Sequence, residues 1–359
     1  MRAIHQRQFR SNVLMLSADY PPRAWSGIAA AVETQARALA AMGVNVSVLT
    51  RQAPPAASGE PGLSVRGLDE PVFPFRRVEF DWIHLHSLPL TELAFELRRR
   101  TGARLAYTAH SLMRWELDQC GEQAFWTRLQ LRVMRESDAP ICLSESERRA
   151  ALALAPELQG RIRVIGNGLP PPAPAPARDG VRGPVVFAGR LTAGKGLELV
   201  RELFPRIRQQ WSGSFVVAGG HGDAEGELLL SELRRALGGS LRTPGWLSRE
   251  ELDRLYRSAA LVVVPSRYEP FGMVALEAMR MGAPVLAANV GGLAEIVTEH
   301  SGGRLVASRN PEEWCAAALE IVADPAAARE LGMRGPAYVA SHFPADGVAQ
   351  RLLREVYAN

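Results

Sequence analysis

Two glutamates eight positions apart, Glu269 and Glu277, sit in the stretch Pro265-Ser266-Arg267-Tyr268-Glu269-Pro270-Phe271-Gly272-Met273-Val274-Ala275-Leu276-Glu277-Ala278-Met279. The order of residue types reads as a strand end, a loop punctuated by Pro and Gly, and then a helix. Glu269 falls in the loop and Glu277 about one turn into the helix. The amides of Gly272, Met273 and Val274 fall at the helix N-terminus, where unpaired N–H groups and the helix dipole favour an anion. Phosphate-binding amides, a carboxylate for ribose hydroxyls and a carboxylate for sugar hydroxyls are what a sugar nucleotide requires. The alternative is that both glutamates are simply solvated, the usual state of that residue.

A second candidate stands out by rarity. Of the 42 basic residues, 41 are Arg and one is Lys, Lys195. Such a bias, with abundant Ala, fits a GC-rich coding sequence in which Arg replaces Lys wherever the two are equivalent. The surviving lysine is then a candidate for a phosphate site that a compact ammonium fits and a planar fork does not. Chance is the competing explanation.

The elements that would position these groups alternate regularly. Asn12–Ser17 reads as a buried strand ending before Asp19-Tyr20-Pro21-Pro22, a helix follows over Ala29–Met42 with Gly43 as its stop, and Val44–Leu49 is a second strand. That unit has the length of a right-handed parallel crossover. Further strands are expected at Trp82–Leu85, Leu105–Thr108 and Ala139–Leu143, with helices at Leu90–Arg100 and Ala124–Glu136. The proline-rich run Leu169–Ala177 reads as a stiff connector. Beyond it come strands at Val185–Ala188, Ser214–Ala218, near Leu241, Leu261–Val264 and Pro284–Ala287, and helices at Leu197–Trp211, Glu225–Leu237, Arg249–Ser258 and Met273–Met281. The expected architecture is α/β, with two doubly wound Rossmann-like domains facing across a ligand cleft. Their expected limits are 1–169 and 183–339, with a linker at 170–182 and a C-terminal helix, 340–359, returning to the first domain.

Pro-Ser-x-Tyr-Glu-Pro-Phe-Gly-x-x-x-x-Glu-Ala-Met, followed by Gly282-Ala283-Pro284-Val285 and Gly291-Gly292-Leu293-Ala294-Glu295, resembles the E-x7-E signature of the retaining glycosyltransferases of family 4, which have the GT-B fold. Gly189-Arg190-Leu191-Thr192-Ala193-Gly194-Lys195-Gly196 resembles the family's G-R-L-x-x-x-K-G loop. Val217-Ala218-Gly219-Gly220, Gly245-Trp246-Leu247 and Ile165-Gly166-Asn167-Gly168 resemble further landmarks. The resemblance implies that Arg190 and Lys195 hold the donor diphosphate, that Glu269 meets the sugar hydroxyls and Glu277 the ribose, and that Gly27, Gly219, Trp246, Leu247, Phe271, Gly272, Met273 and Val274 line the donor.

In the first half, Tyr20-Pro21-Pro22 with Ser26-Gly27-Ile28 resembles a family loop that normally reads Gly-Gly, so Ser26 replaces the first glycine and Gly27 retains the freedom to adopt positive φ. Asp81-Trp82-Ile83-His84-Leu85-His86 and Tyr107-Thr108-Ala109-His110-Ser111-Leu112 resemble two strand-end histidine motifs. Alternation directs His84 and His86 to one side of the sheet, with His86 nearest the strand end. The resemblance places His110 beside the transferred sugar, with Tyr20, Ser26, His86 and Arg114 on the acceptor side. His84-x-His86 could also be read as two metal ligands on one strand face. No third ligand or Cys partner is evident, and the resemblance implies neither metal nor cofactor.

Composition narrows the classes. The net charge of +4 is spread over 359 residues without a long basic block, which does not suggest a nucleic-acid partner. No apolar run approaches the length of a spanning helix. The basic start, Met1–Arg10, lacks the apolar segment and small-residue cleavage site of a secretory signal. The expectation is a bacterial cytoplasmic protein, monomeric or dimeric, with room for peripheral contact at the inner membrane. Cys120, Cys142 and Cys315 are widely spaced and read as buried thiols, not a disulfide or zinc framework. Phe125–Val133, basic and aromatic, reads as a half-buried packing helix.

The expected activity is metal-independent, retaining transfer of a hexosyl or N-acetylhexosaminyl unit from a nucleotide sugar, with UDP the expected base, to an acceptor hydroxyl. Alternatives are a nucleotide-sugar epimerase or hydrolase of the same fold, and a non-catalytic sugar-nucleotide-binding subunit.

Overall fold

The computed structural model describes residues 11–21, 26–51, 60–68, 80–116, 122–172, 183–220 and 222–358. The chain divides into two compact units. The first comprises Met1–Arg114, Glu122–Pro170 and Phe343–Asn359; the second comprises Trp115–Gly121 and Pro171–His342.

The first unit is built on β1 (Asn12–Leu16), β2 (Asn45–Thr50), β3 (Leu63–Gly67), β4 (Trp82–Leu85), β5 (Arg104–Ala109), β6 (Ala139–Cys142) and β7 (Arg163–Val164), with α1 (Gly27–Ala41), α2 (Thr91–Thr101), α3 (Gln123–Glu136) and α4 (Glu145–Leu154) between them. The strand order is β3-β2-β1-β4-β5-β6-β7, and every pair is parallel. Alternation along β1 shows why helices cover both faces. Val13 and Met15 enter one apolar cluster with Val32, Ala36 and Leu39 of α1, while Leu14 and Leu16 enter another with Ala94, Phe95 and Leu97 of α2. A central parallel strand buried on both sides reads as a continuous apolar run, as Val-Leu-Met-Leu does. Each such side chain contributes about 1.5–3 kcal/mol through burial.

The second unit contains β8 (Val185–Ala188), β9 (Phe215–Ala218), β10 (Leu241–Gly245), β11 (Leu261–Val264), β12 (Val285–Ala288) and β13 (Gly303–Val306). Its helices are α5 (Leu197–Gln210), α6 (Ala224–Leu237), α7 (Arg249–Ser258), α8 (Met273–Arg280), α9 (Leu293–Ile296), α10 (Pro311–Ala323) and α11 (Pro325–His342). The order β10-β9-β8-β11-β12-β13 is again wholly parallel. Leu199, Val200, Leu203, Phe204 and Ile207 make the apolar stripe of α5, and Phe204 packs on Phe215 of β9 with ring centroids 5.0 Å apart. In each unit strand order reverses beside the first strand, at β1/β4 and at β8/β11, and ligands of open parallel sheets bind outside the carboxyl ends of strands at such a point.

The chain returns to the first unit through α12 (Ala345–Leu352), which continues as one wider π turn over Leu353–Tyr357. Val348, Leu352, Val356 and Tyr357 join the α1 face of the core. Gly168 marks the close approach there, because a Cβ on it would lie 2.6 Å from Ala345 Cα.

Cys142 and Cys315 are buried free thiols, whereas Cys120 lies outside the described residues. So do Arg23 and the proline-rich connector from residue 173 to residue 182. The helix expected at Ala124–Glu136 forms as α3, burying Gln130, Val133 and Met134 while leaving Phe125 exposed.

Candidate functional site

In the second unit, the loops leaving β8 and β11 meet. The first turns sharply at Gly189 (φ 146°), passes Arg190, makes a short 3-10 turn over Ala193–Lys195 and enters α5 through Gly196 (φ 79°). A Cβ at Gly196 would lie 2.0 Å from Pro265 O in the second loop, so the two backbones approach as only glycine allows. Arg267 N donates to Gly194 O at 3.0 Å and ties them further. This contact brings the lone lysine to the first glutamate. Lys195 Nζ donates to Glu269 Oε2 at 3.0 Å, and Ser266 Oγ donates to the same oxygen at 3.0 Å.

Glu269 is held from behind by the Gly291-Gly292 turn. Gly292 N donates to Glu269 O at 2.9 Å. The first-turn amides of α8 follow Gly272, whose φ of 107° suits glycine and whose missing side chain provides no cap. An anion therefore meets no competing side-chain acceptor from that position. Phe271 is buried, and Met273 and Val274 are half-buried. Arg190 donates to Glu116 at 3.1 Å within the same unit.

Glu277 is half-buried on α8. Burial raises its pKa above the ordinary carboxylate value, Arg249 and Arg280 pull it down, and Asp253 pushes it up. Arg280 is itself held by both oxygens of Asp253 at 2.8 and 3.0 Å. The Tyr256 hydroxyl is buried without a hydrogen-bond partner among the described residues, and desolvation, with Glu277 and Asp253 nearby, raises its pKa well above the usual value. Gly219 is packed against Gly189, and Gly220 lies under the Trp246 indole, where a Cβ would be 2.7 Å from Nε1. Leu247 borders a cavity of about 540 Å³ alongside α7, with Thr243, Pro244, Arg254 and Leu255 also in its wall.

In the first unit, the ends of β4 and β5 gather three imidazoles. His84 and His86 lie on one side with ring centroids 4.1 Å apart, and His86 Nδ1 lies 3.1 Å from His110 Nε2. Both ring nitrogens of His84 are hydrogen-bonded, Nδ1 with Tyr357 Oη at 2.5 Å and Nε2 with Thr108 Oγ1 at 2.8 Å. Burial lowers the pKa of His84 to about 3, that of His110 to about 4, and that of His86 well below its ordinary value. All three are neutral hydrogen-bonding groups at neutral pH. Among the described residues, no group of three or more His, Cys, Asp or Glu is arranged to hold a metal ion.

The glycine-like loop differs from expectation. Ser26 is the N-cap of α1 and accepts from Ala29 N at 3.2 Å, a role glycine could not fill. Gly27 is already helical and does not have positive φ. Tyr20, expected on the acceptor side, is buried in the α1 core, which pushes its hydroxyl up to about 12. Arg114 is exposed on a turn. Sequence reasoning missed Ser266 as a partner of Glu269, although it stood in the quoted motif. It also missed Thr108 beside His84, which likewise stood in a quoted motif, and Tyr357, for which no local signal existed.

Two wholly parallel, doubly wound units give the chain a fold similar to that of the GT-B glycosyltransferases. The chain belongs to the group 1 glycosyltransferases: residues 178–337 match the family described as glycosyl transferases group 1, and residues 25–171 match glycosyltransferase family 4. It is similar to a glycogen synthase of Mycobacterium tuberculosis, 27% identical over 94% of this chain and 92% of that protein. Among solved structures it resembles the sucrose-phosphate synthase of Thermosynechococcus elongatus, with a TM-score of 0.82 and 25% identity over 97% of this chain and 100% of that one. It also has the fold of Anabaena HepE, solved in complex with UDP and glucose, with a TM-score of 0.76 and 17% identity over 98% and 100% of the two chains.

Proposed function

We propose that this protein is a retaining, metal-independent glycosyltransferase that moves a hexosyl or N-acetylhexosaminyl unit from a UDP-sugar to an acceptor hydroxyl in the cytoplasm. The observation that carries the reading is the Lys195–Glu269 pair at the β8/β11 switch point, with Ser266 on the same carboxylate oxygen. Among the described residues no helix is long and apolar enough to cross a membrane. UDP as the base draws support from the Anabaena relative, whose structure holds UDP and glucose.

Cleavage of the anomeric C–O bond puts positive charge on the sugar ring and negative charge on the departing diphosphate. Arg190, Lys195 and the α8 amides meet that negative charge in a preorganised way, and one such donor is worth about 3–4 kcal/mol. Glu269 binds the sugar hydroxyls, its carboxylate oriented by Lys195 and Ser266, and Glu277 binds the ribose. His110, neutral at working pH, hydrogen-bonds the sugar without carrying its proton. The acceptor oxygen adds on the face the diphosphate leaves, and its proton passes to a phosphate oxygen of the leaving group.

The test is thermal stabilisation by UDP-, GDP-, ADP- and dTDP-sugars with and without EDTA, followed by NMR of the product's anomeric coupling. Stabilisation by UDP-sugars that EDTA leaves intact, with retained configuration, is expected. An inverted product overturns the mechanism, and acceptor-independent consumption of donor points to a hydrolase or epimerase.

A further inference from the structure

Three residues after Lys195, in the first turn of α5, stands Glu198. Its Oε1 accepts from Arg267 Nε at 2.6 Å and from Arg309 Nη2 at 2.7 Å. Arg309 also donates through Nη1 to Pro265 O at 3.1 Å. Arg267 and Pro265 belong to the loop that carries Glu269, while Arg309 comes from the loop after β13. That third loop is anchored in the core, because the indole N–H of the fully buried Trp314 donates to Ser308 O at 2.7 Å. Glu198 thus joins three loops at the carboxyl edge of one sheet, immediately beside the lysine and the glutamate that meet 3.0 Å apart.

Stability does not account for this bracket. Arg267 and Arg309 side chains are 45% and 41% exposed, and pairs so exposed are worth about 0–1 kcal/mol. The other oxygen of Glu198, Oε2, is buried without a hydrogen-bond partner among the described residues, which costs further stability. What the bracket does fix is loop spacing. A misplacement of about 1 Å in a catalytic group can cost about 100-fold in rate. We infer that Glu198 is a positioning residue which, through Arg267 and Arg309, sets the separation of Lys195 and Glu269. The inference rests on the reading of those two residues as the donor site.

The single lysine supplies a direct readout. Protein labelled with ¹³C,¹⁵N-lysine shows one lysine side-chain spin system, that of Lys195, with no assignment needed. In Glu198→Gln and Arg309→Gln the Lys195 resonances shift, the melting temperature stays within about 3 °C, and kcat falls about 10- to 100-fold while KM for the donor changes much less. Glu320→Gln, which breaks the exposed pair with Arg304, is the control and changes neither reading. An unmoved Lys195 signal, an unchanged kcat, or a melting temperature lowered by ten degrees or so overturns the inference in favour of an ordinary surface ion pair or a purely structural role. Should the wild-type chain transfer no sugar from any donor, the functional reading fails, and the Lys195 resonance alone still decides the bracket.

Discussion

The hydroxyl of Tyr357 lies 2.5 Å from Nδ1 of His84, joining positions 273 residues apart in the chain. The same residue's carbonyl accepts from Trp82 Nε1 at 3.2 Å, so the π turn over Leu353–Tyr357 is fastened to β4 by backbone and side chain together. Tyr357→Phe keeps the ring and removes the hydroxyl, leaving a fully buried imidazole nitrogen without a partner. A loss of about 1–3 kcal/mol is expected, read as a lowered urea midpoint of the first unit. An unchanged midpoint would show that the hydrogen bond contributes nothing.

Lys195→Arg tests whether the lone lysine is kept for its shape. Nζ and Ser266 Oγ share one oxygen of Glu269, a point contact that a planar guanidinium cannot reproduce without moving the loop. Turnover is expected to fall about 100-fold or more, with circular dichroism unchanged. Wild-type turnover in this variant would make the lysine an accident of composition.

Gly291→Ala addresses the backbone behind Glu269. Gly291 has φ 50°, and an added Cβ would lie 2.1 Å from Glu269 O. The clash is with backbone, so the loop carrying Glu269 must move. A destabilisation of about 1–3 kcal/mol, together with a diminished thermal shift from donor, is the expected result. Gly239→Ala is the comparison, because nothing lies within 4 Å of its added Cβ, and both readings should stay at wild-type values. Equal behaviour of the two variants would show that the tight turn does not position Glu269.

Much of this arrangement was legible because local pattern and local chemistry coincide in parallel α/β units. Trp82–Leu85, Val185–Ala188, Arg249–Ser258 and Leu261–Val264 form over the expected residues. The second half carried its site in two short segments whose glycines, lysine and glutamate are all local signals. Elements passed over had weaker contrast. β3 is a short edge strand with Arg66 exposed, and α10 and α11 are rich in alanine, which dilutes the distinction between faces. The bracket at Glu198 and the Tyr357–His84 bond were not legible for a different reason. Each depends on which loops the sheet order makes neighbours, and no spacing along the chain encodes that.

The buried imidazoles make the stability of this protein depend on pH in a stated direction. An unfolded chain titrates His near 6.5, whereas burial lowers His84 to about 3, His110 to about 4 and His86 well below its ordinary value. Below pH 6.5 the unfolded state therefore binds protons that the native state refuses. Stability from these groups is fully present above that pH and is lost as pH falls toward 4. Each group contributes up to about 1.4 kcal/mol per pH unit, and the three together up to about 4. Glu277, whose pKa is raised, acts in the opposite sense, because the native state takes up its proton first and so offsets part of the loss at the acid end. Denaturant midpoints measured from pH 7.5 to 5 should fall accordingly. Over the same range, while the protein remains folded, the imidazole ring signals of His84, His86 and His110 should stay at their neutral positions. Titration of those three near pH 6.5 would mean that the cluster is open to water, and the pH dependence would vanish with it.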